Sequence, residues 1–297
     1  MSDSIRSVTI ADSRGHQTDV QNLIGLDEST SQGCEIVVAV RCAREQDISL
    51  VRALIENDLK PFRYKSSSIL RHGDLDRSER ISRVKDLISD LQGLSITWAA
   101  IICPPESSQH EIAAATSMAV KKSITDGLRE GVVTHGCGDT GILHDGAYDP
   151  NDPYLEGLGE IMPSHFDTSF QRSICPVYLA FLREADLIYP QNTIADYIAG
   201  YLNDRIEDGA SVSTLPDPVR RFDNSWVDRA PQPEQIYHLE EFQPVREEEV
   251  RSRVIAWMTG RGYPDDPVPT TQDPYRDLVE EIQDDDEVVY RYLCEEI

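Results

Sequence analysis

Residues Ser95 to Cys103 read SITWAAIIC, a run dominated by apolar side chains and stopped by Pro104 and Pro105. Such a run suits a strand covered on both faces, as in a sheet with helices on either side. The neighbouring segments support that layering. Glu111 to Leu128, rich in Ala and Met, predicts a helix. Ile48 to Asn57 (ISLVRALIEN) and Arg80 to Leu91 (RISRVKDLISDL) place apolar residues at helical spacing. Asn22 to Val40 (NLIGLDESTSQGCEIVVAV) holds two β-prone runs joined by a Ser/Thr/Gln/Gly turn, which predicts a hairpin. Gly141 to His144 (GILH) is a short strand ending on Asp145, and Cys175 to Leu182 (CPVYLAFL) is a second ending near Asp186. Thr193 to Ile206 then predicts another helix. Strands alternating with helices in this way give an α/β domain with a mixed sheet flanked by helices, and polar residues at strand ends become the natural site positions.

This reading divides the chain into an N-terminal extension over 1–21 and a central domain over 22–207. A Pro-rich linker or insertion comes next over 208–243, then a helical C-terminal part over 244–297 with an acidic tail. Within the central domain, 147–173 reads as an insertion of solvated loop. Helices are expected near 245–258 and 275–283.

Composition narrows the class. With 297 residues and 39% hydrophobic content, the chain can bury a proper core without disulfide or metal staples. No stretch approaches the roughly 18 apolar residues of a membrane span, and the first twenty residues lack the pattern of a signal peptide. Six cysteines are spread singly, with no C-x-x-C pair, and read as buried thiols of a reducing, cytoplasmic setting. Cys137 with His135 and His144 lacks the second paired spacing of a zinc site.

Acids outnumber bases 53 to 28, for a net charge of −25, and only five of the 28 basic residues are lysines. A folded chain so charged repels itself unless salt screens it. At 1 M salt the Debye length shrinks to about 3 Å, so a salt-loving source is expected. Acidity of that origin does not exclude a nucleic-acid substrate, although it leaves no basic face to argue from.

Asp27 and Glu28 lie side by side where an apolar strand meets a polar turn, and Asp145 and Asp186 close two further strands. Each acid alone suits a turn or a helix cap. Together, three strand ends in one sheet can bring four carboxylates into one cluster, and oxygen-only ligands of that kind prefer Mg²⁺ or Mn²⁺ to zinc.

An ordered set of motifs resembles ribonuclease HII, of the archaeal type and divergent, within the RNase H-like superfamily. GLDESTSQG is similar to that family's GxDEAGRG opening. PPESSQHEIAAATSMAVKKSI resembles its helix with the N-I-x-x-A-T-x-x-A-M pattern, and ILHDG its V-D-G strand end. ADLIYPQNTIADYIAGYLNDR follows the spacing of its A-D, A-A-S-I-x-A-K and R-D stretch, and GRGYPDDP its G-S-G-Y-P-S-D-P loop. The resemblance implies an RNase H-like fold with Asp27, Glu28, Asp145 and Asp186 as catalytic, metal-binding carboxylates. It implies two ions, Mg²⁺ or Mn²⁺, held about 3.5 to 4 Å apart for phosphodiester hydrolysis. The implied substrate is the RNA strand of an RNA·DNA hybrid or a ribonucleotide in duplex DNA, recognised through the 2′-hydroxyl. Gly33, Lys65 and Tyr263 are the implied substrate contacts.

The departures open alternatives. The family's G-R-G is replaced by Thr30-Ser31-Gln32-Gly33, and its Ser and Lys of A-A-S-I-x-A-K correspond to Asp196 and Gly200. Lys65 stands in a remnant of D-S-K-K-L and reads equally well as an exposed loop lysine. Tyr263 reads also as a packed surface aromatic. The I-A-D-Y-I-A run is similar to the terminal L-A-D-x-I-A of a broader RNase H-like group, which makes Asp196 an alternative to Asp186 as metal ligand. An aspartate in a first helical turn can instead answer the helix dipole. A nuclease acting on DNA, or a degenerate nucleic-acid-binding module without turnover, are the other expectations, and a protein partner could supply the missing positive surface.

Overall fold

The computed structural model describes residues 8–12, 17–20, 22–43, 46–61, 64–71, 75–94, 96–129, 140–146, 151–158, 161, 177–182, 185–187, 189–227, 242–244 and 286–295. In chain order the central elements are β1 (Val8–Asp12), β2 (Gln17–Val20), β3 (Asn22–Ser31), β4 (Cys34–Ala43), α1 (Asp47–Glu56), α2 (Ser66–Arg71), α3 (Arg77–Gly93), β5 (Thr97–Ile102) and α4 (Gln109–Arg129). They continue with β6 (Thr140–Asp145), a helical segment α5 (153–158), β7 (Val177–Leu182), α6 (Pro190–Glu207), β8 (Val219–Arg221) and β9 (Phe242–Pro244).

The nine strands among the described residues form one sheet in the order β2-β1-β9-β7-β6-β3-β4-β5-β8. Its centre is β5-β4-β3-β6-β7, in which β4 runs antiparallel to both neighbours while β3, β6 and β7 are parallel. This is the mixed sheet flanked by helices that the sequence predicts. The predicted hairpin is present, closed by Gln32 at φ 50° and Gly33 at φ 81°. Two consecutive positive φ values match a type I′ turn, whose twist suits a two-residue hairpin and whose second position favours glycine.

The pleat sorts β4 cleanly. Ile36, Val38, Val40 and Cys42 pack into a core with α1, α3 and α6, while Val37 and Ala39 pack into a second core with α4. Successive side chains of a strand point to opposite faces, so a run apolar at every position must be covered on both. β5 obeys the same rule with Trp98, Ala100 and Ile102 on one side and Ile101 on the other.

Several boundaries differ from expectation. Within 1–21, β1 and β2 are part of the sheet, which they extend through β9. The stretch 208–243 contributes β8 at the opposite edge, parallel to β5. In the expected surface insertion 147–173, Tyr154, Leu158 and Ile161 are buried, the first two against α4. The expected helices over 245–258 and 275–283, Tyr263 and its loop, Cys137, His135 and Cys175 lie outside the described residues. A C-terminal helix, Glu287–Glu295, is described. Among the described residues, Cys34, Cys42 and Cys103 form no disulfide, and no helix is long and apolar enough to cross a membrane.

Candidate active site

Asp27 and Glu28 do not end their strand. β3 runs on to Ser31, still paired with β4, while its ladder with β6 stops at Leu26 opposite His144. The two acids therefore stand where β3 and β6 part, a cleft rather than a turn. Asn192, on the first turn of α6, spans that fork by donating its Nδ2 to the carbonyls of Leu26 (3.1 Å) and Leu143 (2.8 Å).

Adjacency in a strand also separates the two carboxylates. Ile24 and Leu26 face α4, so Glu28 follows them to that side and Asp27 faces α6. On β6, Ile142 faces α4 and takes His144 with it, leaving Asp145 on the side of Asp27. The contacts agree with this division. Glu28 Oε1 lies 3.5 Å from His144 Nε2, and the neighbouring Tyr154 hydroxyl oxygen is 3.0 Å from Thr116 Oγ1. Burial disfavours ionised Glu28, but hydrogen bonding and charge from His144, with a hydrogen bond from Tyr154, outweigh it and lower its pKa. Burial likewise works against the His144 imidazolium, and Glu28 with the Asp145 carbonyl reverses this and raises its pKa.

The α6 side gathers the other acids. Asp145 accepts from the Ala185 N–H through Oδ1 at 3.1 Å and from Lys65 Nζ through Oδ2 at 3.0 Å. Asp186 lies in the 3₁₀ turn Ala185–Leu187, is 2% exposed, and places Oδ1 2.9 Å from the same ammonium. Asp196, in the second turn of α6, accepts the Ser66 N–H at Oδ2 (2.5 Å). Helix-dipole compensation is therefore not its role, since the first turn of α6 holds no acid. Burial first, then the fields of Asp196, Asp186, Asp145 and Glu28, drive the Asp27 pKa well above the usual carboxylate range. Burial, with repulsion from Asp145 and Asp196, raises Asp186 to about 7, and burial raises Asp196 to about 6. Asp186 and Asp196 thus belong to one cluster.

A cavity of about 440 Å³ opens beside these acids, bounded by Asp27, Glu28, Ser66, Arg80, Asp196 and Asn203 among others. Arg80 is a buried cation. It donates from Nη1 to the Ser66 carbonyl (2.7 Å), from Nε to Asp204 (3.0 Å) and from Nη2 to Asp204 as well. Gly200 makes room for this arrangement, since a Cβ there would stand 2.1 Å from Ser66 Oγ.

The substrate contacts expected from sequence are divided. Gly33 closes the hairpin five residues beyond Glu28, roughly 17 Å along an extended strand. The structure does not bring it to the acids. Lys65 is neither an exposed loop residue nor turned outward, because its ammonium sits between Asp145 and Asp186. The sequence reading assigns no role to Arg80 or Tyr154 and weighs His144 only as a zinc ligand. Arg80 carries a legible signal, a charge within the apolar stripe Arg80, Val84, Leu87, Ile88 and Leu91. His144 is found by alternation once Ile142 is known to be core. Tyr154 has no local signal.

The donor set suits a hard divalent cation: carboxylate oxygens only, more acids than bases, and an ammonium already standing between two of them. Among the described residues, no three His, Cys, Asp or Glu side chains converge closely enough to hold a metal ion as they stand. A metal ion on Asp145 and Asp186 would have to take the place of the Lys65 ammonium, which reaches the same oxygens.

No family model and no curated protein matches the sequence. Among solved structures, the chain is similar to Bst-RNase HIII in complex with Mn²⁺, at 16% identity over 61% of this chain and 51% of that one, with a TM-score of 0.38. A mutant of Bst-RNase HIII gives 14%, the same coverages and 0.37. Ribonuclease H2 from Pyrococcus horikoshii OT3 gives 14% over 88% of this chain and 99% of that one, with 0.38. The chain spans about half the length of the RNase HIII structures.

Proposed function

We propose that this protein is an RNase H-like nuclease that hydrolyses phosphodiester bonds, with the RNA strand of RNA·DNA hybrids or ribonucleotides in duplex DNA as its substrate. The observation that carries the reading is the gathering of Asp27, Asp145, Asp186 and Asp196 where two parallel strands part, on a sheet of RNase H-like order. Clustered carboxylates that only repel one another cost stability, and a fold keeps such a cluster at a cleft where a cation or substrate repays it.

The chain's own contribution is to hold the acids in place. The Ala185 N–H fixes one oxygen of Asp145, the Ser66 N–H fixes one oxygen of Asp196, and the Thr193 hydroxyl donates to the Asp186 carbonyl at 2.7 Å to set its turn. Asp27, Asp145, Asp186 and Asp196 would hold the cation, and His144 with Tyr154 orients Glu28 from the far face. Mg²⁺ or Mn²⁺, when bound, supplies the positive charge that activates water and stabilises the leaving 3′-oxygen.

The deciding assay uses a duplex with one embedded ribonucleotide, in molar KCl with Mn²⁺, with wild type compared to Asp27→Asn. Wild type is expected to cut and the variant to lose activity at least ~1,000-fold with its circular dichroism unchanged, a loss on the scale of removing an electrostatic catalytic element. Equal cleavage by the variant overturns the reading. Cleavage of the all-deoxyribose duplex at the same rate moves the substrate to DNA.

One observation favours a second reading, a nucleic-acid-binding module without turnover: Lys65 bridges Asp145 and Asp186. Such a module would bind duplex yet never cut it.

A further inference from the structure

The segment Tyr64 to Ser66 lies across the acid cluster, and its backbone is pinned from several sides. The Tyr197 hydroxyl donates to the carbonyls of Leu59 (2.5 Å) and Tyr64 (3.4 Å). Arg80 Nη1 donates to the Ser66 carbonyl, and the Ser66 N–H is spent on Asp196. The Lys65 side chain is held differently. Its contacts to Asp145 Oδ2 (3.0 Å) and Asp186 Oδ1 (2.9 Å) are made by the ammonium alone, and 35% of the side chain remains exposed. A lysine on a flexible four-carbon stem can leave by side-chain rotation while the backbone beneath it stays fixed.

The partners explain why an ammonium is there. Asp186 is almost fully buried and faces Asp145 and Asp196, so unneutralised charge at that point is costly. Arg80 cannot serve, because its guanidinium is committed to Asp204 and Ser66. Among the described residues, Lys65 is the cation that reaches both carboxylates.

We propose that Lys65 is a built-in counter-ion: its ammonium holds Asp145 and Asp186 together in the metal-free protein, competes with a divalent cation for the same oxygens, and swings out when that cation enters. The proposal deepens the nuclease reading, since it rests on the acids taking a divalent ion. A site whose competent state is only fractionally populated binds with an affinity reduced by that fraction. Lys65 therefore sets the metal concentration at which the site fills. Once displaced, its ammonium lies beside the cleft with its charge available to a phosphate.

The test measures Mn²⁺ binding by calorimetry in molar KCl without nucleic acid, on wild type, Lys65→Met and Lys65→Arg. Methionine keeps an apolar stem of similar length and removes the charge. Lys65→Met is expected to bind Mn²⁺ tighter, by roughly tenfold if the ammonium leaves about a tenth of the molecules open to the ion. Lys65→Arg should stay near wild type. Unchanged or weaker binding by a folded Lys65→Met, or no binding by any of the three, overturns the proposal.

A second measurement needs no variant. Reductive methylation followed by mass spectrometry reports each of the five lysines separately. Lys65 should react faster when Mg²⁺ is added, and an unchanged or slower rate overturns the proposal. If metal binding behaves as expected but no duplex is cut, the counter-ion role stands and the nuclease reading falls.

Discussion

Gly25 has no side chain where the backbone nitrogen of Asn192 stands 2.4 Å from the position a Cβ would take. The start of α6 rests directly on β3 at this point, which seats the helix carrying Asp196 one turn beyond and sets the height of Asp27 two residues along the strand. The obstructing atoms are backbone and cannot rotate away. Gly25→Ala is expected to cost about 3 kcal/mol, at the upper end for overpacking a tight core. Urea denaturation checks it, and a loss below about 0.5 kcal/mol, within the range of ordinary surface substitutions, would mean that helix and strand are not in this contact.

The same residue joins the fork of β3 and β6 by donating to two carbonyls. Asn192→Asp keeps the shape and replaces the donor with a carboxylate facing two oxygens. Buried charge without a partner is strongly destabilising, about 3 to 5 kcal/mol. Protonation restores one donor, so the deficit should shrink as pH falls from 8 towards 5. Denaturant midpoints of variant and wild type across that range decide it, and a deficit independent of pH counts against the assigned hydrogen bonds.

Metal-free stability should decline as pH rises. Asp186 is raised from an ordinary 3.8 to about 7 and Asp196 to about 6 in the folded protein, with burial the leading cause of both. Their protonated forms favour the fold, so this contribution is complete below about pH 4 and lost as pH climbs through 6 to 7. The raised His144 acts in the same direction, whereas the lowered Glu28 contributes stability above its ordinary 4.5 that is lost as pH falls. Between pH 5 and 8 the aspartates dominate. Thermal melts in EDTA and molar KCl should show a falling midpoint, and saturating Mg²⁺ should flatten the slope by replacing protons with a cation. A flat or rising midpoint in EDTA would remove the clustered-acid account.

Tyr154 links the expected insertion to the site through Glu28 and Thr116. Tyr154→Phe removes a hydrogen bond that lowers the Glu28 pKa and leaves the aromatic packing against His144 in place. The Glu28 carboxyl should titrate at higher pH, and stability should drop by about 1 kcal/mol. Carbon-13 titration of labelled glutamates reads the first effect. A Glu28 titration that does not move would detach this tyrosine from the site.

Much of the architecture is legible in the chain because it depends on local pattern. The apolar run SITWAAIIC, the hairpin at Gln32-Gly33, the helical spacing of ISLVRALIEN and the strand ending on Asp145 are each decided by neighbours within a few residues. The acids are legible as candidates for the same reason. Their grouping is not, because Asp27 and Glu28 are adjacent in sequence and yet fall on opposite faces of a strand that continues past them.

By itself, then, the sequence determined an α/β layering with a two-face-covered sheet and carboxylates near strand ends, since period and turn chemistry are short-range properties. Only the tertiary structure decided that Lys65 stands between Asp145 and Asp186, that Tyr154 arrives from a segment resembling loop, and that Arg80 supports Ser66 from an apolar stripe. Those contacts join residues from 14 to 126 positions apart. Burial and charge select such partners only after the chain has closed on itself, and no local pattern records the choice.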